Sequence, residues 1–92
     1  VSSGGIIPKT KIIFKPGYQV HLAKKIKEKT GIITRTAGMI TNFNQASKII
    51  KNGSADIIAI ARSFINNPNW LIKSYRESKK KVGIPNQYKR CF

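Results

Sequence analysis

The sequence predicts an α/β chain built on parallel strands, and three observations lead there. The stretch Ala55 to Ala61 (ADIIAIA) is almost wholly apolar, which suits a strand covered on both faces, as strands of parallel sheets are. A second extended stretch, Ile32 to Ala37 (IITRTA), lies one helix-length upstream. Around these two, apolar residues recur at three-to-four spacing, so strands alternate with helices and right-handed βαβ units follow. Such a set is either a slice of a closed barrel or a small open sheet. Periodicity does not choose between them.

Taken in order, Val1 to Gly5 reads as the end of a strand entering a Gly-Gly turn. No apolar stretch and no Met precede it, as though the chain were cut in mid-element. Ile6 to Gly17 is a loop punctuated by Pro8, Pro16 and Gly17, with Ile12, Ile13 and Phe14 either briefly extended or packed as loop. A helix is expected from about Tyr18 to Thr30. Val20, Leu22, Ala23 and Ile26 form its inner face, Lys24, Lys25 and Lys27 lie outside, and Gly31 stops it at C′. The strand 32–37 ends at Gly38. Thr41, Asn42 and Asn44 can each cap the next helix, Gln45 to Lys51, which presents Ala46, Ile49 and Ile50 and ends at Asn52-Gly53. After the strand 55–61 comes a helical turn, Ser63 to Asn66. A further helix follows with Asn67 as N-cap and Pro68 at its first position, packing Trp70, Leu71 and Tyr75 inward. Gly83 to Phe92 is a tail with Pro85 and two aromatics.

The totals narrow the function classes. Ninety-two residues make one domain but fall far short of the ~250 of an eight-stranded α/β barrel. No apolar run approaches the ~20 residues of a membrane span, and the N-terminus lacks the charged start and apolar core of a signal peptide. One Cys and one His build neither an internal disulfide nor a metal site, and a reducing, cytoplasmic setting is the simplest expectation. The formal charge of +15 favours an anionic partner: nucleic acid, an acidic membrane surface or a phosphorylated ligand. Composition bias explains much of it. Sixteen Ile, fourteen Lys and seven Asn are the mark of AT-rich coding, and Lys outnumbers Arg fourteen to four. The lysines are spread along the chain, with clusters at Lys24, Lys25, Lys27, Lys29 and at Lys79, Lys80, Lys81. Nucleic-acid readers lean instead on Arg and stacked aromatics, and no zinc, RNA-recognition or helix-turn-helix signature is present.

Five pieces in order carry a more specific signal: VSSGG; PGYQV before a helix; a strand ending AGMIT with QA opening the next helix; a strand ending AR before SFINNP; and QYKRCF. Together they resemble the C-terminal part of the Old Yellow Enzyme family of FMN-dependent NAD(P)H oxidoreductases, in its bacterial class with a Gln-Tyr-x-Arg tail. The resemblance covers essentially all 92 residues. It implies the C-terminal part of a (β/α)8 TIM barrel, about strands 6 to 8 with their helices. Residues 1–92 would then be a partial barrel domain without its earlier strands.

The resemblance also implies roles. Gly38, Ala61 and Arg62 would bind the FMN phosphate, and Ser3 and Gly4 would lie near the ribityl-phosphate arm. Arg90, anchored by Gln87 and Tyr88, would reach substrate in a neighbouring subunit of an oligomer. NADPH or NADH would be the reductant of the parent family. Barrels of this type often hold phosphate between the loops after strands 7 and 8, beside a short helix. Gly38 allows close main-chain approach, and helix-start N–H groups with the Arg62 guanidinium make an anion site. The plainer readings are a strand-ending turn for Gly38, a solvated charge for Arg62 and a frayed terminus for Arg90.

Ala61 departs from the family's Gly. If that position needs a positive φ its Cβ costs ~1–2 kcal/mol, and if φ is ordinary little is lost. The family's substrate-binding His pair or His/Asn pair and its proton-donor Tyr come from strands this chain lacks. His21, Tyr18 and Tyr75 read as structural, Cys91 as incidental, and no catalytic residue is assigned. Ile33, Ile60 and one of Ile57 or Ile58 would line an unfilled surface, an aggregation hazard. Its partners would be the missing barrel strands or a second copy. The alternatives are a small basic nucleic-acid-binding module or the inert remnant of a disrupted gene.

Overall fold

The computed structural model describes residues 1–79, 81 and 83–91. Lys80, of the second basic cluster, and Phe92, of the tail motif, lie outside the described residues. The elements are helix α1 (Val20–Thr30), strand β1 (Arg35–Thr36), helix α2 (Phe43–Lys51), strand β2 (Ile57–Ile58), helices α3 (Arg62–Asn66) and α4 (Trp70–Glu77), and a 3-10 segment, Asn86–Cys91.

Helix α1 ends where expected. Gly31 sits in the left-handed region at φ 70, and its N–H closes on the Lys27 carbonyl at 2.8 Å. Helix α2 starts two residues early, because Asn42 is the residue that caps it: its side chain accepts from the Gln45 N–H at 2.8 Å. Helix α4 begins at Trp70 rather than at Pro68. The Asn67 side chain accepts from the Asn69 N–H at 3.1 Å, and the Asn67 carbonyl from the Trp70 N–H at 2.9 Å. Asn-Pro-Asn is therefore a turn ahead of the helix, and α4 has no side-chain cap.

The strands pair in parallel, Arg35 opposite Ile57 and Thr36 opposite Ile58. Both are shorter than the stretches 32–37 and 55–61. Among the described residues each has one neighbour. Val1 to Gly5, expected to end a strand, forms none, although the N-terminal ammonium donates to the Arg35 carbonyl. Helices cover one face of the pair. Ala23, Ile40, Ile49 and Ala55 are buried there, joined by Val20, Ala46, Ile58 and Ile60. The other face is open, with Ile33 78% and Ile57 49% exposed. Ile58 and Ile60 thus belong to the covered side, which corrects the expectation that Ile60 would be exposed. Ile50 and Leu71, expected on inner faces, are exposed along an apolar groove of about 510 Å³ between α2 and α4.

One clip joins three elements. Lys27 on α1 donates to Asp56 Oδ1 at 2.7 Å, and the Thr34 N–H to Asp56 Oδ2 at 2.9 Å. The Lys27 hydrogen bond first, and the Thr34 N–H second, hold the Asp56 carboxyl below its ordinary value. No helix among the described residues is long and apolar enough to cross a membrane.

Candidate functional site

Because β1 and β2 run parallel, both C-terminal tips leave the sheet at the same end, where open α/β architectures gather ligands. There the chain leaves a cleft of about 200 Å³, walled by Met39 to Thr41 from the first tip and by Ala59 to Ser63 from the second. Arg62 lines it, is exposed, and opens α3. The chain's three side-chain carboxylates each sit beside a lysine: Glu28 by Lys24, Asp56 by Lys27 and Glu77 by Lys73. Among the described residues no carboxylate pairs with Arg62. The first N–H drawn back into α3 is that of Ile65, to the Ala61 carbonyl at 3.0 Å. The amides of Arg62, Ser63 and Phe64 precede it and fall outside the helical ladder. A cationic guanidinium and helix-start N–H groups beside one cleft suit a compact anion.

The first tip is held by the Gly-Tyr-Gln of PGYQV. The Gly17 N–H is shared between the carbonyls of Gly38, at 3.2 Å, and Met39, at 3.3 Å. Gly38 has φ 110, and a Cβ there would come within 2.7 Å of Gln19 Nε2 and 2.8 Å of Tyr18 Cε1. The ring of Tyr18 stands edge-on to Phe14, with centroids 5.4 Å apart. Gly38 therefore has a steric reason of its own, distinct from the approach of any ligand. Met39 follows at φ 47 without glycine's freedom, at a cost of about 1–2 kcal/mol. Strain of this kind gathers at functional sites.

The residues singled out from sequence are distributed as follows. Arg62 and Ala61 line the cleft, and Gly38 adjoins it through Met39 without lining it. Ala61 has φ −113, so its Cβ carries no left-handed penalty. Ser3 is tied to Gln19 through its N–H and its hydroxyl. Gly4 has φ 82, and a Cβ there would meet Ile12 Cδ1 at 2.7 Å. Arg90 is exposed in the 3-10 segment, outside the residues that line the cleft, and His21 is exposed on α1. Among the described residues no group of metal-ligating side chains gathers.

Gln19 escaped the reading of the sequence. It is 4% exposed, and its carboxamide also donates to the Ala37 carbonyl at 3.2 Å. No local signal marked it, because its partners Ser3 and Ala37 lie far from it along the chain.

Residues 8–81 match the model of the NADH:flavin oxidoreductase / NADH oxidase family. The chain is 39% identical over 90 residues to an NADPH dehydrogenase of Geobacillus thermodenitrificans, covering 98% of this chain and 26% of that protein. It is 40% identical over 92 residues to an NADPH dehydrogenase of Bacillus pumilus, covering 100% of this chain and 27% of that protein. A Clostridium acetobutylicum NADPH dehydrogenase is 36% identical over 92 residues, with the same coverage of 100% and 27%. The chain spans about a quarter of the length of the relatives it matches.

Proposed function

The chain belongs to the NADH:flavin oxidoreductase / NADH oxidase family, and from that membership we propose that its two strand tips hold the phosphate end of FMN. The cleft between Met39 and Arg62 carries this reading. A phosphate dianion needs positive charge and N–H donors at one place. Arg62, with which no carboxylate among the described residues pairs, supplies the first, and the helix-start amides of Arg62 and Ser63, which line the cleft, supply the second. Gly38 and Ala61 shape the two tips, while Ser3 and Gly4 stand near the ribityl arm. FMN, when bound, supplies the hydride-accepting ring, with NADPH or NADH as reductant. This chain's residues bind and orient. They do not carry the substrate chemistry.

The same reading makes residues 1–92 the region of strands 6 to 8 of a (β/α)8 barrel. The open face bearing Ile33 and Ile57 is then the wall that the remaining strands cover, and helices occupy the opposite face as they do around a barrel. Arg90, exposed near the chain end, is free to extend toward substrate in a neighbouring subunit.

A chimera tests the proposal: this chain set in place of the segment it matches in the Bacillus pumilus protein. The purified chimera should be yellow, retain FMN and oxidise NADPH. Arg62→Ala removes charge-assisted bonds worth about 1.5–3 kcal/mol, so FMN should bind on the order of ten- to a hundredfold more weakly. Riboflavin, which has no phosphate, should change little. A folded but colourless chimera, or equal losses for both ligands, contradicts the assignment.

A further inference from the structure

We infer that Gln19 is a positioning residue for the flavin-phosphate site, clamping the Ser3-Gly4 loop to the tip of β1. The inference rests on the proposed function and deepens it. Gln19 occupies the N-cap of α1, yet its side chain makes no cap bond there. It turns away and uses both ends of its carboxamide on other segments. Nε2 donates to the Ala37 carbonyl at 3.2 Å, while Oε1 accepts from the Ser3 N–H and, at 3.3 Å, from the Ser3 hydroxyl. The side chain is nearly sealed, at 4% exposure, whereas all of the first ten residues are exposed.

The chemistry selects a neutral amide. One atom must donate to a carbonyl while its neighbour accepts from an N–H, and a carboxylate offers only acceptors. The placement matters as much, because Nε2 also lies where a Gly38 Cβ would be, at 2.7 Å. Gln19 therefore touches the loop assigned to the ribityl arm and the tip assigned to the phosphate at once. The segment's other described tie to β1 is at Val1, whose nitrogen donates to the Arg35 carbonyl, so Gln19 is the clamp at Ser3 itself. Gln19 need not touch the cofactor. It sets the gap that the cofactor spans.

The test uses the chimeric barrel with Gln19→Met, which keeps the length and removes all three bonds, and Gln19→Glu. Gln19→Met should bind FMN about tenfold more weakly, the size expected for losing the clamp's net hydrogen bonding. In Gln19→Glu the deprotonated carboxyl repels the Ala37 carbonyl, whereas the protonated carboxyl donates to it and still accepts from Ser3. FMN affinity of that variant, taken relative to the unsubstituted chimera at each pH, should recover as pH falls through the carboxyl's titration. Urea midpoints of both variants at each pH separate the two roles, since a purely structural residue moves stability and affinity together whereas a positioning residue moves FMN affinity with the fold intact. Unchanged FMN affinity in Gln19→Met, or no recovery in Gln19→Glu at low pH, overturns the inference. If Arg62→Ala still separates FMN from riboflavin in that case, the phosphate site stands and only the clamp is lost. A chimera that takes up no flavin removes both.

Discussion

Gly38→Ala probes the tip of β1 directly, and its magnitude can be worked from the structure. A side chain held at φ 110 costs about 1–3 kcal/mol by itself. The added methyl also meets Gln19 Nε2 at 2.7 Å and Tyr18 Cε1 at 2.8 Å, both too close to stand unrelieved. The Tyr18 ring is braced against Phe14, so relief needs a repacking of about 1–3 kcal/mol. The whole substitution should therefore cost roughly 2–6 kcal/mol. Gly31→Ala is the matched control: its φ is 70, but nothing lies within 4 Å of the new Cβ. It should cost only the left-handed penalty of about 1–2 kcal/mol. Urea midpoints of the two variants in the chimeric barrel give the comparison, and adding Gln19→Ala to Gly38→Ala should recover part of the loss. Equal costs at Gly31 and Gly38 would refute the packing of Tyr18 and Gln19 against the strand tip.

Two further expectations concern the frame that carries the site. Asp56 has a folded-state pKa below its ordinary value of 3.8, because Lys27 and the Thr34 N–H stabilise its charged form. Its stabilising contribution is therefore full above the ordinary value and is lost as pH falls through the lower folded value. Asp56→Asn should flatten the acid limb of stability against pH, measured by urea midpoints below pH ~5. An unchanged acid limb would show that the clip contributes nothing. Asn42→Ala removes the one side-chain cap of α2 and should cost about 1 kcal/mol, with faster hydrogen exchange at Gln45. Exchange that is unaltered there would contradict the cap.

Much of the frame was legible in the residues. The order of helices and strands, the stop at Gly31 and the candidate cap at Asn42 follow from periodicity and local chemistry, which need no knowledge of tertiary contacts. The lengths of the strands were not legible, because a ladder extends only as far as its neighbour does. Nor was the facing of ADIIAIA. With no polar residue alternating through it, nothing in the run says that Ile58 turns to the helices and Ile57 away. Asn67 looked like a cap since it precedes Pro68, but its side chain closes on Asn69 instead. The site divides in the same way. Gly38 and Arg62 stood out as a glycine and a charge at two strand ends. Gln19 did not, since its partners Ser3 and Ala37 lie 16 and 18 residues away in sequence. Its role exists only once the chain has folded.

The most direct check of the central idea is a crystal structure of the chimeric barrel with FMN bound. A phosphate oxygen is expected within hydrogen-bonding distance of the Arg62 guanidinium, about 2.7–3.2 Å, lying between the two strand tips and beside Gly38. A phosphate seated elsewhere, with Arg62 turned to solvent, would contradict it.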